Sequence, residues 1–228
     1  MLIKDFMTQN PITVTEDISV IEAAELMKRH RVRRFPVMRN NEIVGIVTDR
    51  DLRSAGPSQV INFDNAERKL FPDLYELLIK ITVRDIMARN IIVISPEKTI
   101  VTASLTMLKH KITGLPVVDD QKRLVGMLTQ GDIFKAMVGF SASHLGKTLV
   151  CLALDDHPGV LKEVADAIRA CGGRIASILS SFMAGDKQKR QVYIRLMDDP
   201  AVDLDAMKKS LEKSFELNFI IKDDVTIP

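Results

Sequence analysis

GIVTDRDL at residues 45–52 is written almost a second time as GMLTQGDI at residues 126–133. Each copy has a glycine, two apolar residues, a threonine and, three positions after the threonine, an aspartate. The likeness extends outward. IKDFMTQNPITV (3–14) aligns with VRDIMARNIIVI (83–94), so that Asp5, Met7, Asn10 and Ile12 return as Asp85, Met87, Asn90 and Ile92. Ala23, Met27 and His30 return as Ala103, Met107 and His110, and FPV (35–37) returns as LPV (115–117). The offset is 80 residues up to about residue 42 and 81 beyond it, because QKRLVG is one residue longer than NEIVG. Such a slip falls in a polar turn, where insertions are tolerated. A unit of roughly 50 residues present twice predicts a pseudo-symmetric pair, not an open solenoid.

Each unit has a readable order. PITV is a short strand opened by the turn-forming Asn10-Pro11. Ser19 and Glu22 have capping-box spacing. Val20, Ala23, Ala24 and Met27 then form an apolar stripe at helical spacing. RRFPVM and EIVGIVT are two strands around the polar turn RNN, and a second helix starts after Thr48. The order is β-α-β-β-α. One unit has too few strands to bury both faces, so two copies packed together make one core.

Bulk properties exclude some functions. The 228 residues give room for one large domain or two to three small ones. A formal net charge of +2 sets up no field for nucleic acid. No apolar run approaches the ~18 residues of a membrane span, and MLIKDFMTQN lacks a signal-peptide core. Cys151 and Cys171 have no metal or redox spacing and read as small buried hydrophobes, so a reducing cytoplasm is the expected location. His30 and His110 each end a helix without further ligands at metal spacing, so no metal site is expected.

Thr48–Asp51 and Thr129–Asp132 have two readings. T-x-x-D before a helix is a capping arrangement, in which the threonine accepts an N–H and the aspartate sits at the positive helix end. The same place is a ready anion site. A threonine hydroxyl can donate to a phosphate or ribose oxygen, and an aspartate can accept from two vicinal hydroxyls.

The doubled pattern, FPV or LPV followed by G-x-x-T-x-x-D, resembles the CBS-domain pair, or Bateman module, over roughly residues 1–138. Modules of this kind bind adenosine nucleotides or S-adenosyl ligands in clefts between the repeats. The resemblance implies AMP, ADP, ATP or S-adenosylmethionine as a regulatory ligand, with Asp51 and Asp132 at the ribose and Thr48 and Thr129 beside it. Ile46 and Met127, with Ile12 and Ile92 of the first strands, would face the base. The repeats differ in charge. KRHRVRR (28–34) stands where the second copy has LKHKITG (108–114), and Arg50 is replaced by Gly131. Phosphate is therefore expected at the site carrying Arg33, Arg34 and Arg50. The alternative is a solvated helix end whose cations offset the C-terminal dipole. The cluster has no interleaved aromatics to stack nucleic-acid bases.

The expected organisation is repeat 1 over 1–54, a helical insertion over 55–81, repeat 2 over 82–140 and a further domain over 147–228. In the insertion, Leu74, Leu77, Leu78 and Ile81 have helical spacing. In the last domain KTLVCLAL is a strand, and Pro158 suits the first turn of a helix ending at Gly172-Gly173. RIASILSSFM and QVYIRLM form a strand pair, Leu204, Met207 and Leu211 mark a helix, and NFIIKDDV is a closing strand. This β-α-β-β-α-β order is a ferredoxin-like split unit. With D-x-P-G-V-L at its first strand–helix junction, it resembles the ACT domain. That resemblance implies an amino acid or other small effector bound near Asp156, His157, Pro158, Gly159, Val160 and Leu161, with Arg174. The alternative is a dimerisation module using an exposed sheet edge.

The fold class expected is thus α/β (α+β), a CBS-domain pair with a C-terminal ACT domain. The combination resembles the AcuB-type family of acetoin-utilisation regulators. It implies a homodimer that senses a nucleotide and acts on a regulated enzyme, with no nucleic-acid or membrane partner. Catalytic signatures such as G-x-S-x-G, a Walker loop or a zinc-ligand set are absent from the sequence, so no enzyme activity and no catalytic residue are expected. An oligomerisation adaptor with vestigial clefts is the other reading.

Overall fold

The structure, a computed structural model, describes residues 1–55, 76, 79–183 and 185–223. The chain divides into two compact units, Met1–Ile133 and Phe134–Pro228. Of the helix expected in the insertion, Leu74, Leu77 and Leu78 lie outside the described residues.

In the first unit, the short strands β1 (Thr8–Gln9) and β2 (Val14–Thr15) precede helix α1 (Val20–His30). Ser19 caps α1 by accepting from the Glu22 amide at 3.2 Å. The helix buries Val20, Ala23, Ala24 and Met27, the four residues of the predicted stripe. It stops at Arg31, which is left-handed at φ 54°. Strands β3 (Arg34–Arg39) and β4 (Glu42–Thr48) form a hairpin. Its two turn residues, Asn40 and Asn41, both have positive φ, as a tight hairpin matched to strand twist requires. Helix α2 (Asp49–Ser54) follows. The second repeat runs α3 (Val83–Ile86), α4 (Ile100–His110), β5 (Gly114–Val118), β6 (Leu124–Thr129) and α5 (Gln130–Ser141).

The repeats are not self-contained. Of the opening strand expected at PITV only Val14 is extended into β2, β1 lies ahead of it, and in the second repeat the matching places, Ala88 and Ile94, are isolated bridges. β2 joins its own hairpin in the order β2-β3-β4, whereas β1 crosses over and gives the order β1-β6-β5. Thr8 pairs with Met127 and, in the mirrored place, Ala88 pairs with Ile46. Val83 and Met87 of the second repeat complete the apolar core of the first. The glycine that opens each quoted octet lies against a methionine of the crossing segment. A Cβ at Gly45 would stand 2.4 Å from the Met87 sulfur, and one at Gly126 would stand 2.3 Å from the Met7 sulfur.

Asp5 and Asp85, another repeated pair, cap the segments that lead into the crossings. Asp85 accepts from both the amide and the hydroxyl of Thr82 at 2.8 Å, which holds its carboxyl below the usual carboxylate range. A depressed folded-state pKa contributes stability above the unfolded value, and that stability is lost as pH falls through the folded one. Asp85→Asn should therefore melt below wild type at neutral pH, with the gap closing as pH drops below about 4. A gap that stays constant in melting curves down to strong acid would contradict this.

The second unit contains β7 (Thr148–Asp155), α6 (Val160–Ala170), β8 (Ile175–Met183), β9 (Asp186–Leu196), α7 (Leu204–Ser214) and β10 (Glu216–Lys222). The strands form one antiparallel sheet in the order β10-β7-β9-β8. This is the split β-α-β arrangement predicted from the element order. Alternate residues Val150, Leu152 and Leu154 of β7, with Val192, Ile194 and Leu196 of β9, face Val164 and Ile168 of α6 and Met207 and Leu211 of α7 in one core. Pro158 lies in a turn, two residues ahead of the first helical residue. Gly159, at φ 96°, is the residue that lets the chain enter α6.

Candidate functional site

Among the described residues, two hollows lie where the repeats meet in the first unit. The first, about 470 Å³, is lined from repeat 1 by Ile46, Thr48, Arg50 and Asp51, and from repeat 2 by Asn90, Ile92 and Lys111. The second, about 610 Å³, is lined from repeat 2 by Met127, Thr129 and Gly131, and from repeat 1 by Thr8, Asn10, Ile12 and Arg31. The strand crossover produces this mixing: Ile92 meets Ile46 in one hollow, and Ile12 meets Met127 in the other. Both volumes fall in the range of small-molecule sites.

In the first hollow, Thr48 and Asp51 form a reciprocal cap at the start of α2. The Thr48 amide and hydroxyl donate to Asp51 Oδ2 at 2.8 and 2.7 Å, and the Asp51 amide donates back to the Thr48 hydroxyl at 3.4 Å. Among the described residues, Asp51 Oδ1 accepts no hydrogen bond. Thr129 and Asp132 repeat the arrangement at the start of α5, with bonds of 2.8 and 2.6 Å to Asp132 Oδ2. The hollows differ here, because Thr129 lines the second one and Asp132 does not.

Arg33 and Arg34 line both hollows, so they do not belong to the first repeat's site alone; only Arg50 keeps that placement. Arg34 is half-buried and donates to the Thr113 hydroxyl at 2.9 Å. Burial lowers its pKa, Asp49 and Asp132 raise it, and Arg33 lowers it further. Arg34 lies against Gly114, its counterpart in the second repeat, where a Cβ would stand 2.1 Å from the guanidinium. Arg31 and Lys111, the left-handed residues that end α1 and α4, add one cation to each hollow. Their matching positions were visible in the repeat, but their place in a site depends on the crossover. Among the described residues, no group of His, Cys, Asp or Glu could hold a metal ion.

In the second unit, a hollow of about 380 Å³ is lined by Asp156, His157, Pro158, Gly159, Val160 and Leu161, together with Lys162 and Arg190. Arg174 is not part of it. It precedes β8 at the far end of the sheet, where Thr148 and Ile175 both pair with Leu196, roughly 20 Å along the strands from Asp155. The arginine of this hollow is Arg190. It pairs with Asp156, donates to the Ser180 hydroxyl at 3.2 Å and lies 4.6 Å over the Phe182 ring. Its position in the middle of a long strand carried no motif that would have singled it out. Cys151 is fully buried, as expected, and Cys171 partly so; both are free thiols.

Comparison with known proteins follows this division. The CBS domain model matches residues 3–58 and 83–139. An uncharacterized protein of Methanocaldococcus jannaschii is 32% identical over 159 residues, covering 60% of this chain and 92% of its own. The chain spans only 23% of the length of other curated relatives, among them an L-aspartate semialdehyde sulfurtransferase and a homoserine O-acetyltransferase. A candidate acetoin utilization protein (AcuB) from Vibrio cholerae shares the fold at 24% identity and a TM-score of 0.50, with 63% of this chain and 95% of that chain covered. CBSX2 of Arabidopsis thaliana, solved in complex with AMP, is 30% identical at a TM-score of 0.49, with 61% of this chain and 98% of that chain covered. In the described residues no helix is long and apolar enough to cross a membrane. With a doubled motif, interlocked repeats and a relative matched over nearly its whole length, this chain belongs to the CBS-domain family.

Proposed function

We propose that the protein is a ligand-sensing regulator that binds an adenosine nucleotide or S-adenosyl compound between its CBS repeats. The observation that carries this reading is the Thr48–Asp51 pair on the wall of the first hollow. One carboxylate oxygen of Asp51 is held by the cap, and the other is left to accept a ribose hydroxyl. Ile46 and Ile92 offer apolar surface to a base, and Arg33, Arg34, Arg50 and Lys111 offer charge to phosphate. The second hollow offers Ile12 and Met127 to a base and Arg31, Arg33 and Arg34 to phosphate, with Thr129 in place of a lining carboxylate. This argues for a weaker grip on ribose there.

The C-terminal unit is read as an ACT-type domain, supported by its topology and by the hollow at the Asp156–Leu161 junction. With Lys162 and Arg190 beside it, that hollow suits an amino acid or another small acid. On this reading the protein is a cytoplasmic homodimer that passes the ligand signal to an enzyme partner, and it is not itself an enzyme. The capping geometry also favours a second reading, an oligomerisation adaptor in which Thr48 and Asp51 only start a helix.

Thermal unfolding separates the two. With AMP, ADP, ATP, NAD or S-adenosylmethionine at about 100 times its dissociation constant, the fold should gain roughly 2.7 kcal/mol. A rise in melting temperature with one of these compounds supports the sensor. No rise with any of them supports the adaptor.

A further inference from the structure

We infer that Arg34 is a single anion-binding residue shared by the two hollows, so that a phosphorylated ligand in one weakens the binding of a second in the other. This rests on the nucleotide reading above and goes beyond it, because it concerns how the sites influence each other.

Three observations carry it. Arg34 lines both hollows, as does Thr113, whose hydroxyl accepts from its guanidinium at 2.9 Å. The counterpart position in the second repeat is Gly114, and a Cβ there would stand 2.1 Å from Arg34 Nη1. Position 114 carries no side chain, so the pseudo-symmetric pair has one guanidinium here where symmetry would supply two. The charge field agrees: Asp49 at the start of α2 and Asp132 at the start of α5 both act on Arg34, one from each repeat.

A phosphate in one hollow would occupy this cation and leave the neighbouring hollow without it. Arg33, which also lines both hollows, is exposed and better screened by solvent. Two ligands that compete for one group are coupled with negative sign, and the coupling is reciprocal. A ligand without phosphate makes no such demand.

The test is methyl NMR of the full chain titrated with AMP and, separately, with adenosine. Ile46 and Ile92 report on the first hollow, and Ile12 and Met127 on the second. Each hollow is then closed in turn, the first by Asp51→Ala and the second by Ile12→Glu. The remaining hollow should bind AMP roughly tenfold more tightly than it does in wild type with the other filled, whereas adenosine affinity should not change. Arg34→Gln should weaken AMP at both hollows and remove the coupling while leaving adenosine binding in place, which also shows that the variant is folded. Equal AMP constants in wild type and in the closed variants would overturn the shared-arginine inference and leave the nucleotide reading intact. No methyl shift with either compound in wild type would overturn the shared-arginine inference, and with no shift from ADP, ATP, NAD or S-adenosylmethionine either the nucleotide reading falls too.

Discussion

Gly146→Ala is expected to cost the C-terminal unit about 3 kcal/mol or more and to leave it largely unfolded at temperatures where the wild type is intact. A Cβ at position 146 would stand 1.7 Å from the Leu196 carbonyl oxygen and 2.7 Å from its carbon. These are backbone atoms, so no rotamer change relieves the clash. Leu196 cannot retreat easily either, because it is paired on one side with Thr148 and on the other with Ile175. Movement of residue 146 has its own cost. Its carbonyl accepts from Arg195 Nη1 at 3.2 Å, and Arg195 is a buried arginine. Its Nη2 reaches Asp223 at 3.4 Å, and its Nε has no partner among the described residues. Losing the Gly146 acceptor would leave this charge still less satisfied in a low-dielectric setting. Calorimetry of the full chain should show the transition of this unit lowered by well over ten degrees. A shift of only a few degrees would mean that the loop before β7 has freedom this packing does not suggest.

Asp51→Ala has a two-part expected result. Without ligand, the variant loses half of a reciprocal cap at the start of α2, worth about 0.5–2 kcal/mol. With a nucleotide at about 100 times the wild-type dissociation constant, it should also fail to gain most of the roughly 2.7 kcal/mol that wild type gains. Asp132→Ala should lose a similar cap and retain more of the ligand response, since Asp132 does not line its hollow. Melting curves of the three proteins with and without ligand decide the matter. A variant that loses cap stability but keeps the full ligand-induced rise would return Asp51 to a purely structural role and favour the adaptor reading.

Much of this molecule could be read from its residues in order. The repeat, the stripe Val20, Ala23, Ala24 and Met27, the asparagine hairpin, and the helix starts after Thr48 and Thr129 are local matters. Periodicity and capping chemistry encode them within a few residues of chain, so they were legible without a fold. The β-α-β-β-α-β order of the last unit was legible for the same reason, except at Pro158, where the conformational freedom of Gly159 delayed the helix by two residues. The partner of each short opening segment was not legible. Thr8–Gln9 and Val14–Thr15 are five residues apart, yet they join different sheets. That choice depends on non-local packing, such as Met7 against Gly126 and Met87 against Gly45, between residues more than forty apart in sequence. The same non-local packing put Ile12 opposite Met127 and Ile92 opposite Ile46, and gave Arg33 and Arg34 to both hollows. It also placed Arg190, not Arg174, beside Asp156. The sequence by itself determined that two similar corners exist and which groups each carries. The tertiary structure alone decided which corners face each other, because strand pairing and side-chain packing act between residues that the order of the chain does not bring together.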